Sequence, residues 1–117
     1  TVMQDYLSRY PEIDAVWAAD DDMAVGAIGA IEQAGREDEM WVVGGAGMKE
    51  MVRRVQEGDD MVPVDVTYPP AMIATAIELT ALGVMSEGVP MSGEFIISSE
   101  LITQENAEQY YYEDSPY

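Results

Sequence analysis

Apolar residues recur at helical spacing at Val2, Met3, Tyr6, Leu7 and Tyr10, and Pro11 stops the run. Ala15 to Ala19 then reads as a short buried strand centred on Val16 and Trp17. Met23, Ala24, Ala27, Ile28 and Ile31 restore the helical stripe as far as Gly35, and Met40 to Gly44 predicts a second buried strand. A third helix carries Met51, Val52 and Val55 on one face, Lys49, Glu50, Arg53 and Arg54 on the other, and Gly58 at its end. Met61 to Thr67 predicts a third strand, which Pro63 interrupts or confines to an edge. Pro69 and Pro70 suit the first turn of a fourth helix, Ala71 to about Ser86, which is apolar almost all round, with Glu78 its one charge before the end. A last strand is predicted over Phe95 to Ser98, and a short helical turn follows Thr103, near Tyr110, Tyr111 and Tyr112.

Strands alternating with helices of this length need right-handed crossovers, so the pattern predicts an α/β fold. Its form is a three-layer αβα arrangement with a mostly parallel sheet covered on both faces. In such a fold Trp17 and Trp41, inside strands, and Met23, Met51 and Met72, on apolar stripes, are expected to fill core.

Composition narrows the function. A chain of 117 residues that is 48% hydrophobic can bury one domain's core. Five basic against 23 acidic residues give a net charge of -18, which repels phosphate backbones and anionic headgroups, so no nucleic-acid or membrane-surface partner is expected. The absence of Cys and His removes thiolate chemistry, zinc-cysteine sites and the commonest general base. A metal-dependent phosphatase or receiver-like phosphotransfer domain is therefore disfavoured, and no enzyme activity or cofactor is expected. No run approaches the roughly 20 apolar residues of a membrane span. The opening TVMQDYL has neither the basic nor the apolar region of a signal peptide. It points to a cytosolic chain or to one that has lost its beginning.

The chemistry concentrates where Asp20, Asp21 and Asp22 separate the first strand from the second helix. In open α/β sheets ligands bind outside the carboxyl ends of strands. Asp21 or Asp22 can cap the helix, where a carboxylate accepts unpaired amides and favours the positive dipole end. A magnesium site would want another carboxylate at the neighbouring strand end, where the chain has Gly44, Gly45, Ala46 and Gly47. Those glycines suit a phosphate cradle, but the lysine and hydroxyl residue of a P-loop are absent and Asp20 would repel the anion. The remaining reading is recognition of a polyhydroxylated ligand, because carboxylates accept hydrogen bonds from hydroxyls.

The ordered pieces YPEIDAVWAADDDMAVGAIGAIEQAG, VVGGAG, an amphipathic helix with EGD, VDVTYPP with a long small-residue helix, and ELITQENAEQYY run over essentially the whole chain. Together they resemble the carboxyl-terminal half of the ribose-type periplasmic sugar-binding proteins of ABC transporters. The resemblance implies an incomplete second lobe of a two-lobe fold that closes on a sugar or polyol and presents it to a permease. Asp20 matches the polar residue of the family's "QNDxMA" pattern and is the leading ligand contact, which leaves capping to Asp21 or Asp22. Ala46, beside Gly45, stands where "GFDG" carries its Asp, so ribose held in the usual way is not expected. Thr67 takes the place of the hinge Gln in "AQxP", where its hydroxyl could reach a ligand directly or through water, and Tyr68 could add a ring face.

The same resemblance divides the chain into 1–67 in the second lobe, 68–92 crossing the hinge into a first-lobe helix, and 93–117 returning. It implies a periplasmic or extracellular protein. A chain ending at these residues would leave the 71–86 helix uncovered, so self-association of a fragment through that helix is expected. The effector-binding core of a lactose-repressor-type transcription regulator shares this fold and is the alternative.

Overall fold

Glycine ends two helices where the sequence places it. Gly35 (φ 66°) and Gly58 (φ 75°) take the left-handed conformation and return their amides to the last turns, at Glu32 and Ile31 and at Arg54 and Val55. The computed structural model describes residues 2–68, 71–86 and 93–115. In chain order its elements are α1 (Val2–Arg9), β1 (Ala15–Trp17), α2 (Asp21–Ala34), β2 (Trp41–Val43), α3 (Lys49–Glu57), β3 (Asp65–Val66), α4 (Met72–Met85) and β4 (Leu101–Ile102). A 3-10 turn at Ala107–Gln109 follows.

β1 and β2 pair in parallel, Val16 opposite Val42. The chain from Met61 to Thr67 runs along the other side of β2, where Val42 N–H donates to Met61 (2.7 Å) and Ala46 N–H to Val66 (2.8 Å), and a parallel bridge joins Ala46 to Thr67. Regular strand geometry begins only after Pro63, which removes a donor and leaves β3 two residues long. β4 closes this side antiparallel, Asp65 opposite Ile102. The α/β class and the parallel sheet stand as expected. The strand predicted at Phe95–Ser98 does not: those residues pair with no strand among the described residues, and Leu101–Ile102 forms the strand instead. Backbone register with Asp65 and Val66 decides this pairing, and the more apolar run stays exposed.

One contiguous core joins Met3 of α1, Ala24, Ile28 and Ile31 of α2, Val42 of β2, Met51, Val52 and Val55 of α3, and Ile102 of β4. Arg36 ties the ends of α1 and α2 together, donating to the carbonyls of Leu7 (2.9 Å), Tyr10 (3.0 Å) and Pro11 (3.0 Å) while paired with Glu39. Arg54 on α3 reaches Glu32 on α2, so these helices lie side by side on the Val16 and Val42 face of the sheet. Among the described residues the opposite face is open. Trp17 is 76% and Trp41 45% exposed, which corrects the expectation that both fill core: strand alternation turns them away from the helical layer. Met23, 63% exposed, is likewise no core residue, whereas Met51 is fully buried. Met23 and Trp17 instead line an open apolar groove of about 520 Å³ between α1, β1 and α2.

α4 is apolar all round, as its sequence implies, and buries none of its described residues; Ile73, Ile77 and Leu82 are all exposed. Pro69 and Pro70, expected in its first turn, lie outside the described residues. Among the described residues no helix is long and apolar enough to cross a membrane.

Candidate functional site

The carboxyl ends of β1, β2 and the 61–67 segment lie next to one another; Thr67 ends that segment, and the loops leaving the three hold the other four expected site residues. Asp20 follows β1 in extended backbone (φ -157°, ψ 154°), and its Oδ1 accepts the Asp22 amide at 3.0 Å. This is the N-cap geometry. The expectation that Asp21 or Asp22 caps α2 is therefore corrected: Asp20 occupies the half-in position, and one carboxylate both caps the helix and faces the strand ends. Its Oδ2 accepts a hydrogen bond from the Tyr68 hydroxyl. That bond, and then the Asp22 amide, hold the Asp20 carboxyl below its usual range.

Gly45 and Ala46 form the loop after β2. Gly45 lies beside the Tyr68 ring, where a Cβ would make an ordinary van der Waals contact with Tyr68 Cε1 at 3.5 Å. Ala46 is buried and has φ 156°, the one positive-φ non-glycine among the described residues. Such outliers cluster at functional loops. Thr67 bridges to Ala46 and is 7% exposed, and its Oγ1 accepts the Glu100 amide at 2.9 Å. The hydroxyl thus fastens β3 to the strand that follows. Asp20 and Tyr68 are left as the accessible polar groups of the five.

Two carboxylates that the sequence reading did not single out for this site lie just beneath it. Asp21, one residue past the cap, is fully buried; Oδ1 accepts the Gly45 amide at 2.8 Å and Oδ2 the Met48 amide at 2.7 Å. It sets the shape of the loop that carries Gly45 and Ala46. Asp65 on β3 is also fully buried, and no well-formed hydrogen bond satisfies either of its oxygens, the Val66 and Gly47 amides being its nearest backbone donors. Burial, and then the negative charge of Asp21, push the Asp65 carboxyl up to about 7. Burial raises Asp21 as well, against the lowering effect of the Met48 and Gly45 amides. The alternation of VPVDVT, which puts residue 65 in phase with the buried Thr67, is the signal that could have found Asp65. Among the described residues no group of three or more acidic side chains is arranged to hold a metal ion.

A family model, the periplasmic binding protein domain, matches residues 1–83. Over 57 residues the chain is 42% identical to the ribose import binding protein of Escherichia coli, a match covering 49% of this chain and 19% of that protein. A solved ABC transporter solute binding protein from Bacillus halodurans with bound myo-inositol is 33% identical, with a TM-score of 0.76 over 94% of this chain and 37% of its own. A periplasmic solute binding protein of an ABC transporter from Actinobacillus succinogenes, with bound D-allose, is 25% identical, with a TM-score of 0.76 over 93% of this chain and 38% of its own. The chain thus spans less than two fifths of these solved relatives and its match about a fifth of the curated one. A family match over residues 1–83, together with the parallel α/β arrangement and the strand-end site, shows that the chain belongs to the periplasmic binding protein family.

Proposed function

We propose that the chain is part of a solute-binding component of an ABC transporter, which takes a sugar or polyol between two lobes and delivers it to a permease outside the cytoplasm. The observation that carries this reading is the convergence of Asp20 and Tyr68 with the Gly45–Ala46 loop at the strand ends. Relatives with bound myo-inositol and D-allose support the ligand class. Asp20 accepts ligand hydroxyls, and the Tyr68 hydroxyl holds that acceptor until a ligand displaces it. Tyr68 also offers a ring face, Gly45 and Ala46 offer only backbone and a methyl, and Thr67 fixes the hinge side. With no acceptor side chain at 46, ribose in the family's usual pose is not the preferred ligand.

A two-lobe clamp needs more chain than these 117 residues. On this reading residues 1–67 and 93–117 belong to one lobe, and the 68–92 segment crosses to the other, which covers α4. The test is calorimetric titration and thermal shift of the full two-lobe protein that contains this chain against pentoses, hexoses, inositols and amino sugars. A saturable hit that Asp20→Ala weakens by tenfold or more supports the proposal. Silence across all four classes refutes it.

A further inference from the structure

Two buried acceptors meet behind the loop. Asp21 is committed to the Gly45 and Met48 amides, and Asp65, fully buried with no formed hydrogen bond to either oxygen, faces the Asp21 carboxyl, with the Val66 and Gly47 amides close enough to oppose part of the shift. Two carboxylates so placed need a positive charge or a proton between them. The chain has five basic side chains and no His, and each of the five is engaged elsewhere. Arg9 pairs with Asp5, Arg36 with Glu39, Arg53 with Glu50, and Arg54 with Glu32, Glu50 and Asp59. Lys49, at the start of α3, donates to the Glu113 and Ser115 carbonyls. The charged group that adds to the pair from α2 is Asp20, of the same sign.

We infer that Asp65 and Asp21 share a single proton, forming a buried acid–carboxylate latch that holds the loop between β2 and α3 against β3. The protonated Asp65 donates to Asp21, which stays ionised because two backbone amides already favour its charge. Losing the proton to solvent leaves two charges in a buried site with no counterion, and the loop is the element that can move away, since its amides are what Asp21 holds. Asp65 is thus a positioning residue, and the latch is a pH-sensitive control on the loop that bears Gly45 and Ala46. The consequence for a ligand rests on the function proposed above; the protonation itself does not.

The test needs no ligand. Carboxyl carbon and backbone amide NMR shifts of the protein are followed from pH 5 to 9 in choline chloride, then in sodium, potassium or magnesium chloride. The latch predicts one step near neutral pH in which Asp21, Asp65 and the Gly45 and Met48 amides titrate together, and which is unchanged by the cation. Asp65→Asn, which keeps a donor toward Asp21, abolishes that step and leaves both amide shifts at their low-pH positions. The inference is overturned if both carboxyls titrate below pH 5. It is equally overturned if the step moves with metal-cation concentration, which would make the bound species a cation. The wild-type titration decides these points even if the variant does not fold.

Discussion

Gly44→Ala tests how firmly Asp21 is held. A Cβ at position 44 would sit 2.2 Å from Asp21 Oδ1 and 3.2 Å from Ala24 Cβ, so one of the neighbours must move. Asp21 is fully buried and bonded through both oxygens to the Gly45 and Met48 amides, so moving it breaks both bonds. Hydrogen bonds to a charged group contribute about 1.5–3 kcal/mol each, which puts the loss at about 3–6 kcal/mol. Replacing glycine restricts the unfolded chain and returns at most about 1 kcal/mol. In an Asp21→Ala background the clashing carboxylate is gone, and only the tight contact with Ala24 remains. Adding Gly44→Ala to that background should cost about 1 kcal/mol. Urea unfolding of the four proteins of the cycle, read by far-ultraviolet circular dichroism because both tryptophans are already exposed, should therefore give a coupling of about 1–4 kcal/mol. Additivity within about 0.5 kcal/mol would refute the reasoning, since it would mean that the residue 44 methyl and the carboxylate do not compete for one space.

Three further outcomes follow from the geometry. Burial and the Asp21 charge push the Asp65 carboxyl up to about 7 in the folded protein, against about 3.9 unfolded. The folded state therefore holds the extra proton between these values, and the contribution of Asp65 to stability falls as pH rises through that window, by up to about 1.4 kcal/mol per unit. Denaturation across pH 5–9 should show Asp65→Asn gaining on the wild type up to about neutral pH and then holding a constant lead; a difference that ignores pH would contradict this. Asp20→Ala should destabilise α2 by about 1 kcal/mol through loss of the cap, while Asp20→Asn, an equally good cap, should leave the melting temperature nearly unchanged and still weaken a hydroxylated ligand. Arg36→Ala, which frees the carbonyls of Leu7, Tyr10 and Pro11, should cost about 1–3 kcal/mol and expose α1 to proteolysis first.

Elements with local signals were legible in the sequence. Pro11 after α1, Gly35 and Gly58 after α2 and α3, and the apolar centres of β1 and β2 each lie in residues that act on their own neighbours. What sequence missed depends on partners. Trp17 and Trp41 are apolar and in strands, yet which strand face the helices cover is a property of the packed sheet. The strand at Leu101–Ile102 displaced the more apolar Phe95–Ser98 because Asp65 and Val66 offer their hydrogen bonds in that register. Strand-end position and resemblance pointed to Asp20, Gly45, Ala46, Thr67 and Tyr68, and what was legible is their place at the strand ends. Capping was assigned to Asp21 or Asp22, and Asp65 was read as one residue of an apolar strand, because a buried carboxylate leaves no pattern in sequence until its donors are known.

The three adjacent aspartates do different work because each residue at a helix start rotates the side chain by about 100°. Asp20 stands before the helix and faces the strand ends, Asp21 turns inward, and Asp22 is exposed. The inward turn explains the glycine at 44 better than a ligand does, since any side chain there would occupy the space of the Asp21 carboxylate. It also explains why the GGAG loop is not a phosphate cradle. A cradle needs unclaimed amides pointing at an anion, and the amides of Gly45 and Met48 already have one in Asp21. The loop is therefore built around an internal anion, and on the function proposed above the acceptor for a hydroxylated ligand lies separately at Asp20. Because the two carboxylates are adjacent in sequence, a substitution at 20 changes the field that Asp21 experiences. If Asp20 is the ligand acceptor proposed above, ligand recognition and loop position are coupled through a single turn of α2.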